Sequence, residues 1–228
     1  MSNIIGNIGY SYNDLTIVPA TFSHISSRTQ CNPFVDNEKM LPIFTAPMST
    51  VVNESNFYLW KMNGITPIMP RNISFNKRKQ YLNKGEWVAL SLAEFHDLFI
   101  DSIRDSNKQY NVCVDLANGH MLSLYDDIDV AKHIAEANNY VLNVMTGNIA
   151  NPETYSALAE KYNVDYIRLS IGTGNGCLTT SNTGIHYPIA TLIDECNSAR
   201  KHCLTASSKK FPKIIADGGI RNYSDAIK

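Results

Sequence analysis

Three glycines at alternate positions lead into a cysteine in the run Ile171-Gly172-Thr173-Gly174-Asn175-Gly176-Cys177. Such spacing lets the backbone approach a ligand closely and turns amides or carbonyls toward it. A thiol ending that loop is placed to be a nucleophile. It needs activation by dipoles or a base, because a free thiol titrates near pH ~8.5. The run is neither a dinucleotide fingerprint, since Cys177 stands where the third glycine would be, nor a P-loop, since no Lys-Ser/Thr follows. Cys31, Cys113, Cys196 and Cys203 have no comparable setting and read as small apolar fillers. A second candidate is Asp217-Gly218-Gly219, directly after the apolar run Lys213 to Ala216. A carboxylate there can accept from ribose hydroxyls while glycine amides receive a phosphate. An ordinary Asp-Gly turn is the alternative. Asp115, within Val114 to His120, carries the same ambiguity, and His120 reads as a surface or packing histidine.

These residues need elements to position them. Apolar or β-branched runs at 41–47, 65–69, 87–92, 112–115, 140–144, 165–170 and 213–216 read as strands. Helical spacing between them predicts helices at 55–62, 75–82, 98–106, 128–137, 152–162 and 189–202. Asn151-Pro152 opens one of these with an Asn cap and Pro at the first helical position. Repeated strand–helix units mean parallel β-structure with covering helices. Seven strands in this order predict an α/β fold of the (β/α)8 TIM-barrel type, with chemistry at the strand C-terminal ends. Met48, Asp115, Asn148, Gly172 to Cys177 and Asp217 to Gly219 all follow expected strands.

Composition narrows the class. With 44% hydrophobic and 18% charged residues in 228, a globular chain with a sizeable core is expected. A net charge of −1, with Lys77-Arg78-Lys79 the densest basic cluster, gives nucleic-acid binding little support. No apolar run reaches the roughly 18 residues of a membrane span. Five cysteines without a CxxC pair argue against zinc. The odd count and the lack of a secretory leader predict a cytoplasmic protein.

The motifs then become specific. Gly172 to Thr180, followed by Thr183-Gly184-Ile185-His186-Tyr187-Pro188, resembles the cysteine loop of the IMP dehydrogenase/GMP reductase family. Tyr12 to Pro19 resembles that family's N-terminal segment, and Ala46 to Val51 its first-strand motif. Asp115 to His120, Gly147-Asn148 and Ile214 to Arg221 resemble three further motifs in the family's order, so the likeness covers essentially the whole chain. It implies that Cys177 attacks C2 of a purine nucleotide, GMP or IMP, with Thr179 helping to activate water or the leaving group. It further implies that Asp217 holds the ribose, that Gly218 and Gly219 serve the phosphate with Asn175, and that Met48, Asn148 and Arg168 line the substrate side. Asp115, Ala117 and Asn118 would meet the cofactor, NADP or NAD. Carbonyls of Gly172, Gly174 and Cys177 would hold a monovalent cation such as K+. The family's barrels are often tetramers, so a homo-oligomer is expected.

The chain also departs from the pattern. Asn175 stands where the family usually has a phosphate-contacting Ser, Thr180 replaces an Arg, and Ile189 a Gln. No regulatory insertion interrupts Pro70 to Phe75. Residues 1–228 are expected to form a single catalytic barrel domain that stops before the eighth strand, second phosphate loop and catalytic flap. A barrel lacking a strand has unpaired edges, so a partner would supply the rest or the isolated chain would associate. Asp115 to Gly119 and Thr183 to Pro188 favour GMP reductase, with IMP dehydrogenase the alternative. A non-catalytic nucleotide-binding or assembly subunit is the rival from another class. An unrelated phosphate-binding barrel, such as a flavin enzyme, would not require Cys177.

Overall fold

The computed structural model describes residues 8–35, 39–102, 104–173, 179–206 and 211–228. Six parallel strands make one sheet in sequential order: β1 (Ile68–Met69), β2 (Trp87–Leu90), β3 (Gln109–Asp115), β4 (Val141–Ile149), β5 (Tyr166–Leu169) and β6 (Lys213–Ala216). Helices follow in alternation: α1 (Phe57–Met62), α2 (Phe75–Leu82), α3 (Leu92–Phe99), α4 (Leu122–Ala137), α5 (Pro152–Lys161), α6 (Thr179–Thr183), α7 (Ile189–Ala206) and α8 (Tyr223–Ile227). This is the α/β succession of the (β/α)8 barrel class. No helix among the described residues is long and apolar enough to cross a membrane.

The chain divides into two compact units. One holds residues 18–116 and 126–145, with β1 to β3, α1 to α3 and most of α4. The other holds 1–17, 117–125 and 146–228, with the end of β4, β5, β6 and α5 to α8.

In the first unit, β2 is buried along its length, and Tyr110, Val112, Cys113 and Val114 of β3 are fully enclosed. Strands covered on both faces read as unbroken apolar runs, which is why the sequence marked them. The expected strand at 41–47 is reduced to one bridge, Phe44 to Thr66. Pro42 and Pro47 have no N–H for a ladder, and Pro67 likewise leaves only Ile68–Met69 of the next run as strand. The helix expected at 98–106 instead spans Leu92–Phe99, starting six residues earlier. Ser91 Oγ accepts from the Glu94 amide at 3.2 Å while the Glu94 carboxylate accepts from the Ser91 amide at 2.9 Å. That capping box ends β2 and starts α3.

The same carboxylate anchors Arg78, which is 3% exposed despite its place in a basic triplet. Its guanidinium donates to Glu94 at 2.5 and 2.9 Å, and to the carbonyls of Ile73 and Ala89 at 2.8 Å each. Four of the guanidinium's five N–H groups are thus used internally. Burial pushes the Glu94 carboxyl up, but hydrogen bonds from Arg78 and Ser91 and the Arg78 charge outweigh it, so its pKa lies below the usual value.

In the second unit, Asn151 caps α5 as expected, accepting from the amides of Glu153 at 2.8 Å and Thr154 at 3.2 Å. The N-terminal segment docks on α7: the Tyr10 carbonyl accepts from the amides of Ala190 and Thr191 at 3.1 and 3.2 Å, and the Tyr10 amide donates to Thr191 Oγ1 at 2.7 Å. Two of the helix's free amides are thereby satisfied.

Candidate functional site

Asn148 near the end of β4, Arg168 in β5 and Asp217 after β6 come together. Asn148 Nδ2 donates to Asp217 Oδ2 at 2.7 Å, and Arg168 donates to the same oxygen from Nε at 3.1 Å and Nη2 at 2.8 Å. The carboxylate is fixed by three donors on one oxygen, so its other oxygen, Oδ1, can accept from a ligand. The Arg168 side chain is 11% exposed and that of Asp217 26%, which encloses the cation and leaves the carboxylate reachable. Adjacent strands β5 and β6 pair Arg168 with Ile215, and the Asp217 amide continues that ladder to the Leu169 carbonyl at 3.2 Å. The sheet register itself therefore brings the arginine beside the acid.

Gly147 permits this. Its φ is +135°, and a Cβ there would lie 2.5 Å from the Arg168 carbonyl oxygen. Only glycine fits that approach. Asn148 Nδ2 also donates to the Ser170 carbonyl at 2.7 Å. Ser170 Oγ meets Thr173 Oγ1 at 2.5 Å, and Thr173 Oγ1 donates to the Asp217 carbonyl at 3.1 Å. The start of the glycine loop is thus tied to the acid's own backbone.

Beside this network lies a cavity of about 350 Å³ lined by Ser11, Tyr12, Asn13, Gly172, Thr173, His186, Ile189, Gly219 and Arg221. Hydroxyls, an arginine, a histidine and backbone at two glycines make a lining suited to an anionic, hydrogen-bonding group. Gly218 and Gly219 have φ of +89° and +74°. Tyr12 is buried, and its hydroxyl pKa is raised first by burial and then by the charges of Asp225 and Asp217. Sequence reading makes Gly219 a phosphate-side residue and Gly172 a cation carbonyl, and assigns no site role to Ser11, Tyr12, Asn13, Thr173, His186, Ile189 or Arg221. Arg221, two residues beyond Gly219, carried a signal in its charge. His186 carried none that distinguishes it from a surface histidine.

The remaining candidates are placed as follows. Gly174, Asn175 and Cys177 lie outside the described residues, so of the proposed cation carbonyls only Gly172 is described. Thr179 is the first residue of α6. Asp115 ends β3 and pairs with Arg71 Nε at 3.5 Å. Met48 is 56% exposed, and Met48 and Asp115 belong to the first unit. Ala117 and Asn118 are exposed in the second unit.

Comparison with known proteins bears on the family and the fold. A family model described as IMP dehydrogenase / GMP reductase domain matches residues 102–228. A GMP reductase of Staphylococcus saprophyticus is 31% identical across 96% of this chain, and one of Helicobacter pylori 29% identical across 96%. The chain spans 65% of the length of each of these relatives. Among solved structures, inosine 5'-monophosphate dehydrogenase from Legionella pneumophila aligns with a TM-score of 0.73 at 23% identity, over 96% of this chain and 65% of that one.

Proposed function

That the chain belongs to the IMP dehydrogenase/GMP reductase family is the premise from which we propose that it forms the nucleotide-binding part of a purine-nucleotide oxidoreductase, acting as a GMP reductase. The observation that carries this is the Asp217 carboxylate, held on one oxygen by Asn148 and Arg168 beside a cavity lined by Gly219, Arg221 and His186. Ribose hydroxyls donate to Oδ1 of Asp217, and the phosphate occupies the cavity, where Arg221 and the glycine amides neutralise it. Arg168 supports the site through Asp217.

In this reading the Cys177 thiolate forms a bond to purine C2 and the 2-amino group departs as ammonia, taking a proton for which Thr179 is the relay. Asp115, Ala117 and Asn118 would hold NADPH, which would supply the hydride equivalent that replaces the cysteine sulfur at C2. The sulfur leaves as thiolate, and the products are IMP, ammonia and NADP+. The carbonyls of Gly172, Gly174 and Cys177 would hold K+. Asn175 meets the phosphate through its amide. The reading also makes the protein a cytoplasmic homo-oligomer, a tetramer by family habit.

Two measurements test it. Alkylation with and without GMP or IMP, mapped by mass spectrometry, should show protection at Cys177 alone. Equal, unprotected labelling of Cys177 and Cys196 refutes the nucleophile, because burial first, then Glu195 and Glu153, push the Cys196 thiol up to about 12 and should keep it inert. Absorbance of the reduced nicotinamide should fall with GMP. A rise with IMP and NAD instead makes the chain an IMP dehydrogenase. Nucleotide binding with no change for either pair makes it a non-catalytic subunit.

A further inference from the structure

His120 sits where three pieces of backbone meet. Its amide donates to Asn118 Oδ1 at 3.0 Å, in its own loop after β3. Its Nε2 lies 3.2 Å from the amide nitrogen of Ala150, just beyond β4. Its Nδ1 lies 3.1 Å from Thr154 Oγ1, in the first turn of α5. An amide N–H can only donate, so Nε2 must carry a lone pair. The ring is then neutral with its proton on Nδ1, directed at the threonine oxygen. No other protonation state serves both contacts. A charged ring would set an N–H against the Ala150 N–H.

The surroundings reinforce this placement. The Gly119 amide donates to the Asn148 carbonyl at 3.1 Å, and a Cβ on Gly119 would come 2.5 Å from that oxygen. Tyr125, 1% exposed, donates to the Gly119 carbonyl at 2.5 Å. His120 and Gly119 therefore fasten the loop bearing Ala117 and Asn118 to the strand end bearing Asn148.

We propose that His120 is a positioning residue that, as a neutral Nδ1-protonated imidazole, fastens the Asn118 loop to the Asn148 strand end and sets the relative placement of cofactor and substrate. The functional half of this rests on the nucleotide reading above; the fastening does not. Burial alone lowers the His120 pKa below the ordinary histidine value. Charged side chains stand at Asp115 on β3, at Asp126, Asp127, Asp129, Lys132 and Glu136 on α4, and at Glu153, Glu160 and Lys161 on α5, and none contributes to that shift. The end of β4 and its link to α5 carry no charge. With the folded pKa below the unfolded value of about 6.5, the contact is complete above that pH and is lost as pH falls through the folded value.

The test uses the 228-residue chain labelled with 15N and titrated from pH ~8 to ~5, a window spanning the histidine range. Long-range 15N–1H spectra should show Nδ1 protonated and Nε2 bare at the alkaline end. The Ala150 amide should move with the His120 midpoint, below about 6.5. In His120→Gln, whose carboxamide can both accept and donate without titrating, the Ala150 amide should not respond. A ring protonated on Nε2, or an Ala150 amide indifferent to the ring, overturns the proposal, and both are read on the wild-type chain even if the variant fails to fold. Wild-type affinity for NADPH should weaken about tenfold for each unit below the His120 midpoint, as single-proton linkage requires, and stay flat in His120→Gln. Should the ring titrate as described while NADPH binds equally at every pH, the positioning role falls. Should neither GMP nor NADPH bind at any pH, the nucleotide reading falls and the fastening by His120 stands.

Discussion

Replacing Asp217 by Asn tests the site where its geometry is tightest. The substitution keeps shape and removes charge. Three N–H groups, from Asn148 and Arg168, converge on Oδ2 at 2.7, 3.1 and 2.8 Å. The new carboxamide must turn its oxygen toward them, which leaves its NH2 facing the ligand side, where a ribose hydroxyl would meet a donor instead of an acceptor. Arg168, with a side chain 11% exposed, also loses its counter-charge. Breaking a buried pair costs about 3–5 kcal/mol, and the 26% exposure of Asp217 lets water recover part of it, so a cost of about 2–3 kcal/mol follows. For a chain of this length each kcal/mol lowers Tm by about 2–4 °C, giving a drop of roughly 4–12 °C by circular dichroism. A hydrogen bond to a charged acceptor is worth about 1.5–3 kcal/mol, so calorimetry should find GMP binding weakened about 10- to 150-fold. A Tm within about 1 °C of wild type would show that the three contacts hold no charge in place. Unchanged GMP affinity in a destabilised variant would remove Asp217 from the ligand side while leaving it in the scaffold.

Arg78→Met should cost about 3 kcal/mol, measured by urea unfolding, since it strands the carbonyls of Ile73 and Ala89 and the Glu94 carboxylate together. Because the folded Glu94 pKa is lowered, its contribution is present above the unfolded value of about 4.3 and disappears as pH falls through the folded one. Wild type should therefore lose more stability than Arg78→Met between pH ~5 and ~3, and parallel acid curves would contradict this account. Asn151→Ala removes the acceptor for two amides of α5 and should cost about 1 kcal/mol in the same assay, with Asn151→Asp close to wild type.

Much of this molecule is legible in its sequence wherever local chemistry decides. The buried strands Trp87–Leu90 and Gln109–Asp115 announce themselves as apolar runs, and Asn151-Pro152 names the start of α5 outright. Asp217, Asn148 and Arg168 were each singled out, but their meeting on one carboxylate oxygen is a product of strand register, which residue spacing does not encode. The error at α3 is of another kind. Ser91 and Glu94 spelled a capping box, yet the apolar Leu92 beside them reads equally as strand, and the two periods cannot be separated over so few residues. In the triplet of cations around Arg78, nothing local tells which one finds a half-buried partner 16 positions away. His120 reads as a surface or packing histidine and is exposed, but its contacts with Ala150 and Thr154, about thirty residues distant, are not encoded locally.

The docking of the N-terminal segment on α7 also orders events during synthesis. The Tyr10 amide meets Thr191, 181 residues later, and Lys228 Nζ reaches the Tyr12 carbonyl across 216 positions. At the ribosome's pace of about 5–20 residues per second, Tyr10 waits some 9–36 s for the helix amides that will cover its carbonyl. During that interval Ile8, Leu15 and Ile17, still 79%, 39% and 55% exposed when docked, travel with no helix to lie against. Tyr12, which lines the cavity, arrives only with this last closure. Tyr10 and Tyr12 thus become useful only once α7 exists, and a nascent chain halted before α7 would hold the Asn148 strand but lack the wall that Tyr12 provides.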